Sequence, residues 1–195
     1  MCNRVFIIAD THFGHKKIVQ FEAEWRPFGT VEEHDAELVR RWNATVKKND
    51  TVWHLGDVLF GEAAFATLAQ LNGVKRLVLG NHDRYPTARY LEHFNSVHGC
   101  AEVRGCVLTH MPVHPSQFPR FKANIHGHSH HNTIGDERYI CVSAEQTGLA
   151  PVLLDTVMQR VPPHNGEVRG ASPQGEASSA EGATSTVVLE GKETT

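Results

Sequence analysis

Short apolar runs alternate with polar turns along the first half of this chain, and the spacing predicts which runs are strands and which are helices. The run in "RVFIIAD" is too short for a helix and stops at Asp10, as a buried strand does. "TVEEHDAELVRRWNATVKK" has the helical period instead, with Val31, Leu38, Trp42 and Val46 on one stripe. Thr30 followed by Glu33 reads as a capping box at its start, and Lys47 and Lys48 suit its C-terminal dipole. "DTVWHLGD" predicts a second strand and turn, "AAFATLAQLNG" a short helix stopped at Asn72-Gly73, and "VKRLVLGNHD" a third strand and turn. The second half reads mostly as strands: "GCVLTHMP", "NIHGHSH", "YICVSAE" and "PVLLDTV". This order predicts an α/β sandwich with a partly parallel sheet in its first half.

From Gln159 the apolar period is lost, and Gly, Ser, Ala, Glu and Thr dominate. Residues 1–158 are therefore expected to form one domain, and 159–195 a disordered acidic tail. Residues 161–195 carry five glutamates against Arg169 and Lys192, so residues 1–160 are neutral, with 17 basic and 17 acidic side chains. A neutral body argues against extensive nucleic-acid binding, which draws on many contacts from Lys and Arg to phosphate. No run approaches the length of a membrane helix, and "MCNRVFIIADTHFGH" does not read as a signal peptide, so a cytoplasmic location is expected. Cys2, Cys100, Cys106 and Cys141 form no CxxC pair, which leaves no zinc-finger or disulfide framework. Oligomeric state has no signature.

The chemistry collects where the strands stop. Asp10 and His12 follow the first strand, Asp57 the second, and Asn81, His82 and Asp83 the third. His110 follows "CVLT", and "NIHGHSHHN" supplies His126, His128, His130 and His131. Ligands of open α/β folds lie at the carboxyl ends of strands, so Asp, Asn and His from five strand ends predict a multi-ligand metal site. Gly56, Gly80 and Gly127 precede the polar groups and allow close backbone approach. Carboxylate and amide oxygens mixed with imidazoles, without thiolate, suit Mn²⁺, Fe or Zn²⁺ better than Ca²⁺. The donors exceed the needs of one tetrahedral ion and match a two-metal centre. Periodicity alone does not say which imidazoles of "NIHGHSHHN" are ligands, because His126, His128 and His130 share a two-residue period.

These motifs in this order resemble the calcineurin-like metallophosphoesterases, whose DxH, GD, GNH[DE], lone His and GHxH stand here as Asp10-Thr11-His12, Gly56-Asp57, Gly80-Asn81-His82-Asp83, His110 and Gly127-His128-Ser129-His130. The opening "ADTHFGH", with "RPF" and "HLGD", is most similar to the small prokaryotic and phage branch. The resemblance implies a four-layer α-β-β-α sandwich with the site at the carboxyl ends of the strands. It implies one metal on Asp10, His12 and His130, a second on Asn81, His110 and His128, and Asp57 bridging them. It makes His82 the group facing phosphate and the leaving oxygen, and Asp83 the residue orienting His82 or a ligand. It fixes the register at Gly127, leaving His126 as a flanking residue and His131 in solvent. Two divalent ions, Mn²⁺ before Fe or Zn²⁺, would generate hydroxide for in-line attack on a small phosphomonoester or phosphodiester, nucleotides included. A nuclease of the same chemistry and a silent scaffold of the same fold are the alternatives.

The sequence departs from branches that carry GDxxDR, since Gly56-Asp57 is followed by Val58-Leu59-Phe60-Gly61. Phosphate recognition must therefore use other cations. Arg26, stiffened by Pro27, is the first expectation, with Lys17, Arg84 and Arg120 behind it. His15 is expected to line the site and His114 to border the substrate. His54 is expected to be packed on its strand, and His34, His93, His98 and His164 to lie on the surface or in the tail.

Overall fold

A computed structural model describes residues 3–163. In chain order its elements are β1 (Val5–Ile8), α1 (Ile18–Phe21), α2 (Val31–Thr45), β2 (Thr51–His54), α3 (Phe65–Leu68), β3 (Val74–Val78), α4 (Thr87–Leu91), β4 (Ser96–His98), β5 (Ala101–Val103), β6 (Cys106–Thr109), β7 (Asn124–His126), β8 (Tyr139–Cys141), β9 (Val152–Leu153) and α5 (Leu154–Met158). Two sheets form. One has the order β4-β3-β2-β1-β9, with β1 to β4 parallel and β9 antiparallel at the edge. The other has the order β5-β6-β7-β8, parallel from β6 to β8.

Alternation along β1 shows how the layers stack. Phe6 and Ile8 point to a core shared with Leu38 and Trp42 of α2, and Ile7 and Ala9 point to Leu108, Ile125 and Ile140 of the other sheet. One helical layer and two sheets are thus packed through alternate faces of the same strands. The outer face of the second sheet is covered by the segment from Met111 to Lys122, which holds one 3₁₀ turn. Val113 N–H donates to Asn124 Oδ1, Tyr139 Oη donates to Val113 O, and Phe118 packs edge-on to Tyr139. The α-β-β-α sandwich is present with its fourth layer thinned to this segment.

The helix from Thr30 starts as its residues dictate. Thr30 Oγ1 accepts from Glu33 N–H at 3.2 Å, and Glu33 Oε2 accepts from Gly29 N–H rather than from the cap residue itself. The helix ends at Thr45, so Lys47 and Lys48 lie beyond it and do not meet its dipole. Trp42 Nε1 donates to Asn72 O, tying the helix to the loop before β3.

Three expectations are corrected. "PVLLDTV" forms only a two-residue strand before the chain turns into α5, whose Leu154 and Val157 enter the inter-sheet core. The helix in "AAFATLAQLNG" is one turn of α-helix after a 3₁₀ turn. His34 is fully buried in α2 rather than on the surface. The elements α4, β4 and β5 have no counterpart in the sequence reading, because three to five residues are too few for a period to register. The tail from 164 on, with His164, lies outside the described residues. Among the described residues no helix is long and apolar enough to cross a membrane. Thr30→Ala is expected to cost about 1 kcal/mol in urea unfolding; an unchanged midpoint would show that the cap contributes nothing.

Candidate metal centre

All the parallel strands of both sheets run toward one end, and there the sheets are joined. Ala9 N–H donates to Val142 O across the sheets, while the bonds from Asp10 N–H to Gly56 O and from His12 N–H to Asp57 O tie the loops of the first sheet, and that from Gly127 N–H to His110 O ties those of the second. The backbone at this end is bent hard. Asp10, His12, Asp57, His128 and His130 all have positive φ, between 51° and 67°. Non-glycine residues pay about 1 kcal/mol or more for that conformation, so the surrounding contacts must over-determine it. Two glycines permit the close approach. A Cβ on Gly80 would lie 2.2 Å from Asp57 Oδ1, and one on Gly127 would lie 2.6 Å from Asp10 Oδ2.

The side chains so placed form two groups of ligand-capable atoms, Asp10–His12–His130 and Asp57–His110–His128, each within 4.8 Å. Asp57 lies between them. Its Oδ1 accepts from His82 N–H at 2.9 Å, and its Oδ2 is 3.7 Å from His12 Nε2 and 3.3 Å from His110 Nε2. In the first group, Asp10 Oδ2 accepts from Ser143 Oγ and His128 N–H. Asp10 Oδ1 and His12 Nε2, buried and 3.7 Å apart, have no hydrogen-bond partner among the described residues. Buried polar atoms are rarely left so, and a cation is the partner both accept.

The second group makes the same point through proton count. His110 Nδ1 donates to Leu55 O, so the neutral ring has a lone pair at Nε2. That atom faces Asn81 Oδ1 at 2.9 Å and Asp57 Oδ2 at 3.3 Å, both acceptors. Three acceptors converging need a positive charge between them. Without metal the ring is pushed toward supplying it: burial opposes the charged ring, but Asp57 and Asp10 outweigh burial and raise the His110 pKa. Asp57 is also driven up by burial, yet His110, His82 N–H and His12 bring it down to about 2. The donor set of imidazole, carboxylate and amide oxygen fits a divalent transition metal in each group.

Asp83 is not placed to orient His82. Its carboxylate accepts from the backbone N–H groups of Asp57, Val58 and Gly80, at 2.8 to 3.0 Å. It clamps the β2 loop to the β3 loop and so holds Asp57, a ligand-capable residue, rather than the imidazole next to it. His82 stands at the open edge, with 39% of its side chain exposed and Nε2 4.0 Å from Asp57 Oδ2.

Arg26 is also not where the sequence reading put it. It is fully buried and cannot reach a substrate phosphate. Its Nη2 donates to Asp10 O, its Nη1 to Thr11 O and His34 Nε2, and its Nε to Glu145 Oε1. Glu145 Oε1 also accepts from His130 Nδ1 at 2.9 Å, which leaves the His130 lone pair on Nε2. His34 Nδ1 donates to Asp35, whose other oxygen accepts from Gly14 N–H. One guanidinium therefore props the strained Asp10–His12 turn from behind and reaches His130 through Glu145. Nothing in the residue pattern marked Glu145, which ends an apolar run like many surface glutamates; only the fold brings it 119 positions back to Arg26.

His15 lies at the margin, its ring stacked on Phe60 at 4.1 Å and 5.6 Å from His12. Burial, reinforced by His12, lowers its pKa to about 4, so it is neutral near pH 7. His54 is packed as expected, bonded to Thr11 Oγ1. His126 is buried, with Nδ1 donating to Gly127 O, whereas His131 is exposed and bonded to Glu22. His114 caps the 3₁₀ turn at Pro115 by accepting from Ser116 N–H. Arg84 lies beside His82, with Nε donating to Asn81 O.

Two facing sheets with Asp, Asn and His gathered at their common carboxyl end define a double-sheet α/β protein with a metal-binding centre. A family model of the calcineurin-like phosphoesterase superfamily domain matches residues 4–147, and the chain belongs to that superfamily. An uncharacterized protein of Methanocaldococcus jannaschii is 29% identical over 169 residues, spanning 81% of this chain and 91% of its own. The Gene 66 protein of Mycobacterium phage L5 is 38% identical over 86 residues, 42% of this chain and 40% of that protein. A solved structure of a protein of unknown function from Aquifex aeolicus matches with a TM-score of 0.67 at 24% identity, covering 81% of this chain and 99% of its own; that likeness speaks for the fold. Membership supports a metal-dependent phosphoesterase with divalent metal cofactors.

Glu145 gives a pH test in metal-free protein. Burial raises its pKa, but His130 and Arg26 overcome burial and bring it to about 2, below the ordinary 4.5. A depressed carboxyl stabilises the fold above its unfolded pKa and loses that contribution as pH falls through its folded value. Acid unfolding should therefore steepen between pH 4.5 and about 2. Glu145→Gln should remove part of that slope and cost about 3–5 kcal/mol near neutrality, because Arg26 stays buried without its counter-charge. An unaltered slope in the variant would refute this role for Glu145.

Proposed function

We propose that this protein is a dinuclear metal-dependent phosphoesterase, hydrolysing a small phosphomonoester or phosphodiester. The observation that carries the reading is the position of Asp57 Oδ2, within 3.7 Å of an imidazole from each of two acceptor-rich groups. Mn²⁺ is the favoured ion, and Fe or Zn²⁺ suits the same donors. Divalent ions held there supply an activated water and neutralise charge on the phosphate oxygens.

The residues of the chain do the rest. Asp10, His12 and His130 would hold one ion, and Asn81, His110 and His128 the other, with Asp57 available to both. Ser143 and the His128 N–H fix Asp10 Oδ2 so that Oδ1 is left for the ion. His82 is anchored through its backbone N–H to Asp57 Oδ1, which sets its exposed ring beside the centre. There it can give a proton to the departing ester oxygen.

Arg84 replaces Arg26 as the cation for the substrate, since Arg26 is fully engaged behind the Asp10 turn. A small substrate is favoured over nucleic acid because residues 1–160 carry no net charge. The silent-scaffold reading is disfavoured because the sequence keeps His82 and all seven candidate ligands.

Removing metal and restoring Mn²⁺ should switch on hydrolysis of p-nitrophenyl phosphate or bis-p-nitrophenyl phosphate. Absence of metal-dependent turnover on both would sink the reading. His82→Ala should lower kcat by about 10²–10⁴ while metal content holds. Asp57→Asn should lose both ions. His128→Ala should lose metal where His131→Ala keeps it; the opposite pattern would mean that the assigned register is wrong.

A further inference from the structure

The second sheet holds a cavity on the face turned away from the core. Ile125, Ile140 and Val142 enter the inter-sheet core, so His126 on β7 and Cys141 on β8, which alternate with them, share the opposite face. The two are register partners on neighbouring parallel strands. Both line a cavity of about 270 Å³, whose wall also carries Asp136, Glu137 and Gln146. None of its lining residues belongs to either ligand group of the metal centre.

Each of the two side chains has an electron pair without a use. His126 is 1% exposed, and its Nδ1 donates to Gly127 O, so the lone pair is on Nε2. Nε2 is buried and meets no donor among the described residues. Ser143 Oγ gives its hydrogen to Asp10 Oδ2, so the Cys141 thiol, 3.1 Å from that oxygen, is the donor of the pair. The other neighbour of the thiol, His130 O at 3.6 Å, is an acceptor too. Among the described residues, nothing donates to the sulfur.

We propose that this cavity is a separate metal site, which takes one thiophilic divalent ion, Zn²⁺, on Cys141 Sγ and His126 Nε2. A tetrahedral zinc ion sets its sulfur and nitrogen donors roughly 3.5 Å apart. Side chains at one register position, on strands that lie about 4.8 Å apart, meet that spacing. An organic hydrogen-bond donor would satisfy the imidazole and leave the sulfur idle. Mg²⁺ and Mn²⁺ prefer oxygen and have no use for the sulfur. Glu137, exposed in the cavity wall, supplies a carboxylate, and water fills the remaining position. Binding replaces the thiol S–H bond by a metal–sulfur bond and releases the proton to solvent, with no change of oxidation state.

The cavity backs onto the first ligand group. Cys141 reaches Asp10 through Ser143, and Gln146 Nε2, from the same wall, donates to His130 O and His131 O. An ion that takes the sulfur as thiolate removes the hydrogen that Ser143 Oγ accepts, and so acts on Asp10 from behind. Zn²⁺ in the cavity therefore inhibits the centre. This coupling rests on the phosphoesterase reading above, whereas the site itself does not.

The ligand groups of the metal centre contain no sulfur, so a sulfur-specific signal isolates the new site. Co²⁺ is titrated into the Mn²⁺-loaded full chain, and the near-ultraviolet band of thiolate-to-Co²⁺ charge transfer is followed. A single Co²⁺ per chain should saturate the band, Zn²⁺ should abolish it, and Mg²⁺ should leave it intact. Cys141→Ser should lose the band and Cys100→Ser should keep it, with thermal unfolding checked for each. His126→Gln should weaken Co²⁺ binding about tenfold or more. No band in the wild-type chain overturns the proposal whether or not any variant folds. A band that survives in Cys141→Ser, or one that Zn²⁺ leaves in place, overturns it too. For the coupling, the Zn²⁺ concentration that half-inhibits Mn²⁺-dependent ester hydrolysis should rise about tenfold or more in Cys141→Ser. Equal inhibition of both proteins would keep the site and overturn its action on the centre. A Cys141-dependent band without hydrolysis of any ester would uphold the site and refute the phosphoesterase reading instead.

Discussion

The buried charge of Arg26 is the constraint on which the rest of this end of the molecule depends. Four of its neighbours are acceptors: two backbone carbonyls, an imidazole nitrogen and a carboxylate that it shares with His130. A guanidinium without solvent is tolerable only when its donors are met, and here they are met by the backbone of the Asp10–His12 turn. The same contacts hold that turn in a conformation it would not choose. Five ligand-capable residues at positive φ represent stored strain, and the strain is local to the end of the sheets where ligand atoms must converge.

A second clamp works on the neighbouring loops with the opposite sign. Asp83 gathers three backbone N–H groups from the turns after β2 and β3, and this sets Asp57. One buried cation thus organises carbonyls on the β1 side, and one buried carboxylate organises N–H groups on the β2–β3 side. Between them, acceptors face one another without enough protons. That imbalance is the electrostatic reason to place metal ions here, and it is independent of any resemblance to other proteins. In metal-free protein it falls on the histidines, with His110 pushed toward its charged form and His12, where burial outweighs Asp10, pushed away from it.

Much of this was legible in the chain. Strand runs that stop at Asp10, Asp57 and Asn81 are visible because a buried parallel strand needs an apolar run and a polar group must end it. The α2 cap was visible because Thr30 and Glu33 stand three apart. Short elements were not: β4 and β5 are three residues each, and their pairing depends on neighbours that no local period reports. The role of Arg26 was misjudged for a related reason, and of the two roles open to Asp83 only packing selects the one that serves Asp57. An arginine beside a proline and an acid beside a histidine look available, and only packing shows whether water reaches them.

The sequence by itself determined which residue types stand at each strand end, in which order, and hence the family and the class of chemistry. Covalent neighbours and the two periods of regular structure are local properties, and they survive without coordinates. The tertiary structure decided what those groups do. It took Arg26 and Glu145, 119 positions apart, and made them the support of the first ligand group. It turned His34 inward, and it placed Phe60, Arg84 and Tyr85 around the free face of His82. Burial, the number of donors an acceptor meets, and the side of a ring that faces a cavity are properties of distant segments brought together, and no local pattern carries them.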